Sequence, residues 1–244
     1  MHSIHEPKLL YKTILLYFGF NSPHYIGIVC FFIIFKVSPL PHATMEARAL
    51  ASRFNAAPLL NDQATKDRVL GCIQGASIIH IAAHGLPDNG DILLAPSVES
   101  RKEKCLPRER SYVLSQHDVI NLQLSAQLVV LCCCYTGRGE PTTEGVLGIA
   151  RAFLGAGTRS VLVALWALPD LETKDFMEHF YDEICKGSSC CEALKTAMNV
   201  FQQSDNKKHR SFRTWAPFTI IGEDIVFAKE DIEEIRRCSE NSLT

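Results

Sequence analysis

The sequence predicts an α/β protein built on a mainly parallel central sheet flanked by helices. Three short apolar runs carry the prediction, at Ala76–Ala83, Gln127–Cys133 and Thr158–Trp166. Each has the length and β-branched content of a strand buried on both faces, the kind found in parallel sheets. Between them lie amphipathic segments of helical length, and strands alternating with helices are the pattern of βαβ units.

The first 39 residues read differently from the rest. Leu9–Phe20 and Tyr25–Val37 are apolar and aromatic, with little helix punctuation. Within them, Ile26–Phe35 is uncharged, but it falls well short of the ~20 residues that span a bilayer. No small-residue cleavage site follows it. Residues 1–39 are therefore expected to be a hydrophobic N-terminal extension. The alternative is a weak membrane anchor or signal segment making membrane contact there, and the incidental extension is the preferred reading.

From Leu40 the pattern becomes regular, and one domain over residues 40–224 suffices. Thr44–Asn55 has small or apolar residues at Met45, Ala49, Ala51 and Phe54 and reads as an amphipathic helix. Asn61–Thr65 looks like a helix start, and Thr65–Cys72 a helix ending near Gly75. The strand Ala76–Ala83 follows. A Pro-Asp-Asn-Gly turn then leads into a short strand at Asp91–Ala95. Ser97–Arg110 is rich in charge and is expected to be a solvated, mobile loop. Ser115–Asn121 reads as a short helix capped by Ser115, with Asp118 in its first turn.

After the second strand, Glu144–Leu154 carries Val146, Ile149, Ala150 and Phe153 on one face, with Gly155 or Gly157 as its C-terminal cap. Beyond the third strand, Leu171–Lys186 and Cys190–Gln203 are helices, the first ended by Gly187. Ser204–Arg213 reads as a polar, basic loop, and Trp215–Ile221 as a last strand closed by Gly222. Residues 225–244 form an acidic tail, in which Ala228–Arg237 suits a surface helix.

Composition narrows the function classes. The chain has 244 residues, a formal net charge of −2 and 47% hydrophobic residues. No basic field points to nucleic acid, so none is expected as a partner. Ten cysteines might suggest a disulfide scaffold, but Cys132, Cys133 and Cys134 are consecutive, as are Cys190 and Cys191. Neighbours in a strand point to opposite faces and rarely pair. Most are expected to be small core residues of a reduced, cytoplasmic protein. No Cys-x-x-Cys pair occurs, and neither a metal nor another cofactor is expected.

Two of the apolar runs end in residues that carry chemistry. His84-Gly85 follows the first, and Cys134-Tyr-Thr-Gly137 follows the second. In parallel sheets reactive groups gather beyond the carboxyl ends of the strands. A thiol attacks as thiolate, and a nearby imidazole makes it one near neutral pH. His84 is expected to begin a loop in which Gly85 permits a sharp reversal, so it is preferred as base over His80, which lies inside the strand as a core histidine. Cys132 and Cys133, also inside their strand, are expected to be packed and inert. The backbone N–H groups of Gly85 and Cys134 are candidates for an oxyanion hole. Asp88, Asp91 and Asp170, with Glu140, could receive a basic substrate side chain, and Arg138 or Arg151 an acidic one; solvated loop charges are the competing reading.

Several segments together resemble the CHAT domain, a caspase-like module of the separase and caspase superfamily that usually follows tetratricopeptide repeats. They are His80-Ile-Ala-Ala-His84-Gly85, Leu131-Cys-Cys-Cys134-Tyr-Thr-Gly137 and the stretch Glu144–Gly157. Val161–Trp166 and Trp215–Gly222 complete the set, in the family's order. The resemblance implies a three-layer caspase-like sandwich and a catalytic His84–Cys134 dyad. The fifty positions from 84 to 134 match the spacing of roughly 50 seen in caspases.

The family's usual Ser-Ala-Cys-Glu-Thr-Gly reads Cys132-Cys-Cys134-Tyr135-Thr-Gly137 here, so Tyr135 stands beside the nucleophile and joins the substrate-pocket candidates. The implied activity is that of a cysteine endopeptidase acting on a protein or peptide substrate, regulated by fused repeats or by a repeat-protein partner. The alternative is a protein-interaction module of a repeat protein in which the dyad turns over weakly or not at all. No repeats occur in this sequence, which is expected to be a fragment or short form.

Overall fold

The computed structural model describes residues 13–17, 40–97, 109–134 and 142–240. In chain order they form β1 (Thr13–Tyr17), α1 (Pro41–Arg53), β2 (Leu59–Leu60), α2 (Lys66–Ile73), β3 (Ile78–Gly85), β4 (Ile92–Leu93), β5 (Val113–Leu114) and α3 (Gln116–Ile120). The chain continues through β6 (Leu128–Cys134), α4 (Thr143–Gly155), β7 (Ser160–Ala164), α5 (Asp170–Lys186) and α6 (Cys190–Gln203). Two single-turn helices, α7 (Lys207–Arg210) and α8 (Phe212–Trp215), lead to β8 (Phe218–Gly222) and α9 (Lys229–Glu240).

The strands form one sheet in the order β2-β1-β3-β6-β7-β8, with the β4–β5 ribbon attached to β3. All pairings along this path are parallel except the last, where β8 runs antiparallel to β7. β3 and β6 occupy the middle, which explains why both are rich in apolar residues on both faces and do not alternate.

Helices cover both faces, making the three-layer sandwich that the sequence predicts. Odd-numbered residues of the central strands (Ile79, Ile81, Val129, Leu131) share one core with Val69 of α2, Val119 of α3 and Phe153 of α4. Even-numbered residues (Ile78, Ala82, Leu128, Val130) share the other with Leu50 of α1, Phe180 of α5, Phe201 of α6 and Ile235 of α9. Phe176 stacks on Phe218 with ring centroids 4.3 Å apart, so α5 is keyed to the edge strand.

Local chemistry sets the helix ends. Ser115 and Ser189 each form a capping box, with Asp118 and Glu192 respectively returning the bond. Gly187 adopts φ +94° to end α5, the left-handed conformation that glycine accepts without strain.

Several elements depart from the sequence expectation. The basic stretch read as a loop contains α7 and α8, because Asn206 caps the first and the Thr214 hydroxyl donates to the Ser211 carbonyl in the second. Val113–Leu114 pairs with β4, a strand too short for periodicity to reveal. Of the N-terminal extension, Thr13–Tyr17 lie among the described residues and pair between β2 and β3. The expected loop at Ser97–Arg110 lies outside them from 98 to 108. No helix among the described residues is long and apolar enough to cross a membrane.

Candidate active site at the ends of two central strands

β3 and β6 are adjacent and parallel, so their carboxyl ends lie on the same edge of the sheet. Their register pairs Ile78 with Leu128 and runs without interruption to His84 with Cys134. Neighbouring strands are about 4.8 Å apart, and register partners occupy the same face. The positions of the proposed base and nucleophile are therefore direct neighbours. His84 is buried, at 3% exposure.

His84 does not begin a loop. β3 continues through Gly85, which pairs with Ile92 of β4, and the reversal happens later, between Leu86 and Gly90. There Gly90 N–H donates to the Leu86 carbonyl at 2.8 Å and Leu86 N–H to the Asp91 carbonyl at 2.7 Å. Gly90 adopts φ +73°, and a Cβ there would stand 2.1 Å from the Gly145 carbonyl oxygen of α4. The turn after His84 is thus pressed against the helix that follows Cys134.

Cys134 is the last residue of β6, one position further into the strand than the apolar run suggests. Tyr135, Arg138 and Glu140 lie outside the described residues. The chain re-emerges at Thr142, whose N–H donates to the Pro87 carbonyl at 2.9 Å. Its hydroxyl donates to the carbonyls of Pro87 and Asp88 and accepts from Gly145 N–H, capping α4. Cys134 and Thr142 are therefore beside His84 and Pro87 respectively.

The acidic candidates have distinct surroundings. Asp88 is exposed in the turn. Asp91 is mostly buried, and its carboxylate accepts from Gln116 N–H and from the Asn89 amide. Burial pushes its pKa above the ordinary Asp value, outweighing the Gln116 bond. Asp170 accepts from both His42 N–H (2.8 Å) and Ala43 N–H (3.0 Å), so it serves the N-terminus of α1. Its pKa is also raised by burial.

The other cysteines have clear environments. Cys132 and Cys133 are buried, and Cys133, on the opposite face from the His84 position, has its thiol pushed up to about 12 by burial. Cys72 and Cys191 are exposed. His80 is wholly buried and contacts Glu46 and Tyr181, consistent with a core histidine.

Past the end of β7, Trp166, Ala167, Phe212 and Arg213 line an open pocket of about 250 Å³. Trp166 donates its indole N–H to the Arg213 carbonyl and meets the Phe212 ring edge-on. Phe212 and Arg213 were hidden within a stretch that reads as polar loop; the exposed aromatic at Phe212 was the available signal.

The chain is similar to known proteins over most of its length. Residues 31–223 match the family model described as the CHAT domain. Tetratricopeptide repeat protein 28 of Mus musculus is 31% identical over 216 residues, and its Homo sapiens counterpart 30% over 215. Each alignment covers 77% of this chain but 9% of the relative, so the chain spans a small part of those proteins' length. Among solved structures, separase chains in two Saccharomyces cerevisiae separase–securin complexes superimpose with TM-scores of 0.52 and 0.51. Their identities are 17% and 16%, covering 92% and 90% of this chain and 13% and 12% of the separase chains. This likeness is one of fold.

Proposed function

The chain belongs to the CHAT domain family, and on that premise we propose that it is a cysteine endopeptidase module using His84 and Cys134. The observation that carries this reading is their register pairing at the carboxyl ends of adjacent parallel strands. Two residue types that can form a thiolate–imidazolium pair stand at neighbouring positions on one sheet face.

In the proposed reaction, His84 takes the proton from the Cys134 thiol and the thiolate attacks the carbonyl carbon of a peptide bond. The backbone N–H groups of Gly85 and Cys134 stabilise the resulting oxyanion. The tetrahedral adduct collapses with the C–N bond broken, and His84 returns its proton to the departing amine. Water then attacks the thioester carbonyl, with His84 as base, and releases the acid and the thiol. Asp88, Asp91, Tyr135 and Asp170 are the proposed substrate-pocket residues. Asp88 is the exposed one of the three aspartates, which favours it for meeting a cationic side chain.

The regulatory reading rests on the relatives. Since the chain spans only 9% of two tetratricopeptide repeat proteins, we propose that repeats, fused or supplied by a partner, govern access to the site. Weak turnover by the isolated chain is expected.

A thiol-directed electrophile, with sites mapped by mass spectrometry, tests the dyad. Cys134 should label faster than the exposed Cys72 and Cys191, and His84→Ala should remove that advantage. Equal rates at all three cysteines in the wild type would sink the peptidase reading. Fast labelling without cleavage of any sequence in a peptide library would instead favour an interaction module.

A further inference from the structure

Below the strand ends, three ligating side chains from three elements converge in the core. Glu46 of α1, His80 of β3 and Cys132 of β6 have their ligand atoms all within 4.8 Å of one another. All are buried, at 1%, 0% and 2% exposure. Nothing in local spacing announces them, since they are far apart in sequence and only the sheet register and the seat of α1 bring them together.

The Glu46 and His80 ligand atoms have few other partners. The Glu46 Oε1 and His80 Nε2 atoms lie 2.7 Å apart, and both are buried polar atoms with no hydrogen-bond partner besides this contact. A buried carboxylate whose one partner is a histidine ring is costly to keep in an apolar core, and a bound cation would offset that cost. The other ring nitrogen, Nδ1, lies 3.2 Å from the Tyr181 hydroxyl. With Nδ1–H donating to the Tyr181 oxygen, Nε2 turns its lone pair toward Glu46 and Cys132. A ligating imidazole oriented through its second nitrogen is the usual arrangement in metal sites.

We propose that Glu46, His80 and Cys132 form a transition-metal site, best suited to zinc, that clamps α1 to the two central strands. A carboxylate and a thiolate together neutralise a dication, with neutral imidazole as third ligand. This mixture of oxygen, nitrogen and sulfur suits zinc and excludes calcium and magnesium, which take oxygen. Zinc bonds of about 2.0–2.3 Å need ligand atoms roughly 3.3–3.8 Å apart, within the cluster's span. Metal enters during folding, because the cluster is sealed once α1 has docked.

Cobalt is the probe. The full chain, refolded with Co²⁺ after chelator treatment, should take up one equivalent and acquire thiolate-to-cobalt charge transfer with tetrahedral d–d bands. Cys132→Ser should abolish the charge-transfer band, while Cys72→Ser and Cys191→Ser should keep it. Zinc should raise the melting temperature of the wild type. It should bind Glu46→Gln more weakly than wild type by over the roughly 10–100-fold that losing an outer-shell partner costs. If Cys132→Ser does not fold, Glu46→Gln carries the test alone. A folded wild type that takes up no cobalt, or Glu46→Gln binding zinc as the wild type does, overturns the site. None of these readouts depends on peptidase activity.

Discussion

Thr142 is bonded twice to Pro87, by its backbone N–H at 2.9 Å and by its hydroxyl at 3.1 Å. This tie closes the far end of the segment that starts at Cys134. It also holds the start of α4 against the turn that follows His84. The β3 and β6 strand ends are thereby tied twice, once through their register and once through this contact beyond them.

Thr142→Val keeps the shape but removes the hydroxyl that caps α4 and bonds to the turn. Stability in urea should fall by about 1–2 kcal/mol. Electrophile labelling of Cys134 should slow as the start of α4 loosens from the turn that follows His84. Unchanged stability would show that the hydroxyl contacts contribute nothing net.

Gly90→Ala should be costlier. The residue sits at φ +73°, and the new Cβ would fall 2.1 Å from the Gly145 carbonyl oxygen, a backbone atom that cannot swing away. A loss of about 2–4 kcal/mol is expected, combining left-handed strain with the clash. Thermal unfolding measures it, and a melting temperature within a degree or so of wild type would contradict the packing described.

Asp118 gives a pH signature. Partial burial raises its pKa, but hydrogen bonds from Lys66 and from Ser115 outweigh this and hold it below the ordinary Asp value. A folded-state pKa below the unfolded one contributes stability that is present above the unfolded value, near 3.9, and lost as pH falls through the folded one. Asp118→Asn should therefore cost about 1 kcal/mol at neutral pH. The gap from wild type should close in acid. Urea titrations at several pH values test this, and a gap independent of pH would refute it.

Cys133 should be silent toward alkylation in the native state near neutral pH, because burial pushes its thiol up to about 12. Site-resolved mass spectrometry should find it modified only after unfolding. Labelling of native Cys133 at the rate of exposed Cys72 would mean that β6 is not packed as described.

Much of the scaffold was legible because its signals are local. The continuous apolar runs mark β3, β6 and β7, and Ser115 with Asp118 marks a capped helix. The helix Cys190–Gln203 was legible from its apolar stripe alone. The single-turn helices near residue 210 were not, since four residues are too few for a periodic pattern. Nor was the place of Thr13–Tyr17 beside β3, because an apolar run does not say which strand it will join.

The candidate site divides the same way. By itself the sequence determined that His84 and Cys134 stand at the ends of two buried strands, since strand length and apolar content are properties of adjacent residues. Only the tertiary structure decided that the two strands are neighbours in a register that pairs these positions. Only it brought Glu46, His80 and Cys132 to one point and turned Asp170 toward the N-terminus of α1. Sheet order, register and helix docking arise from burial summed over residues far apart in the chain, and no local pattern encodes that sum.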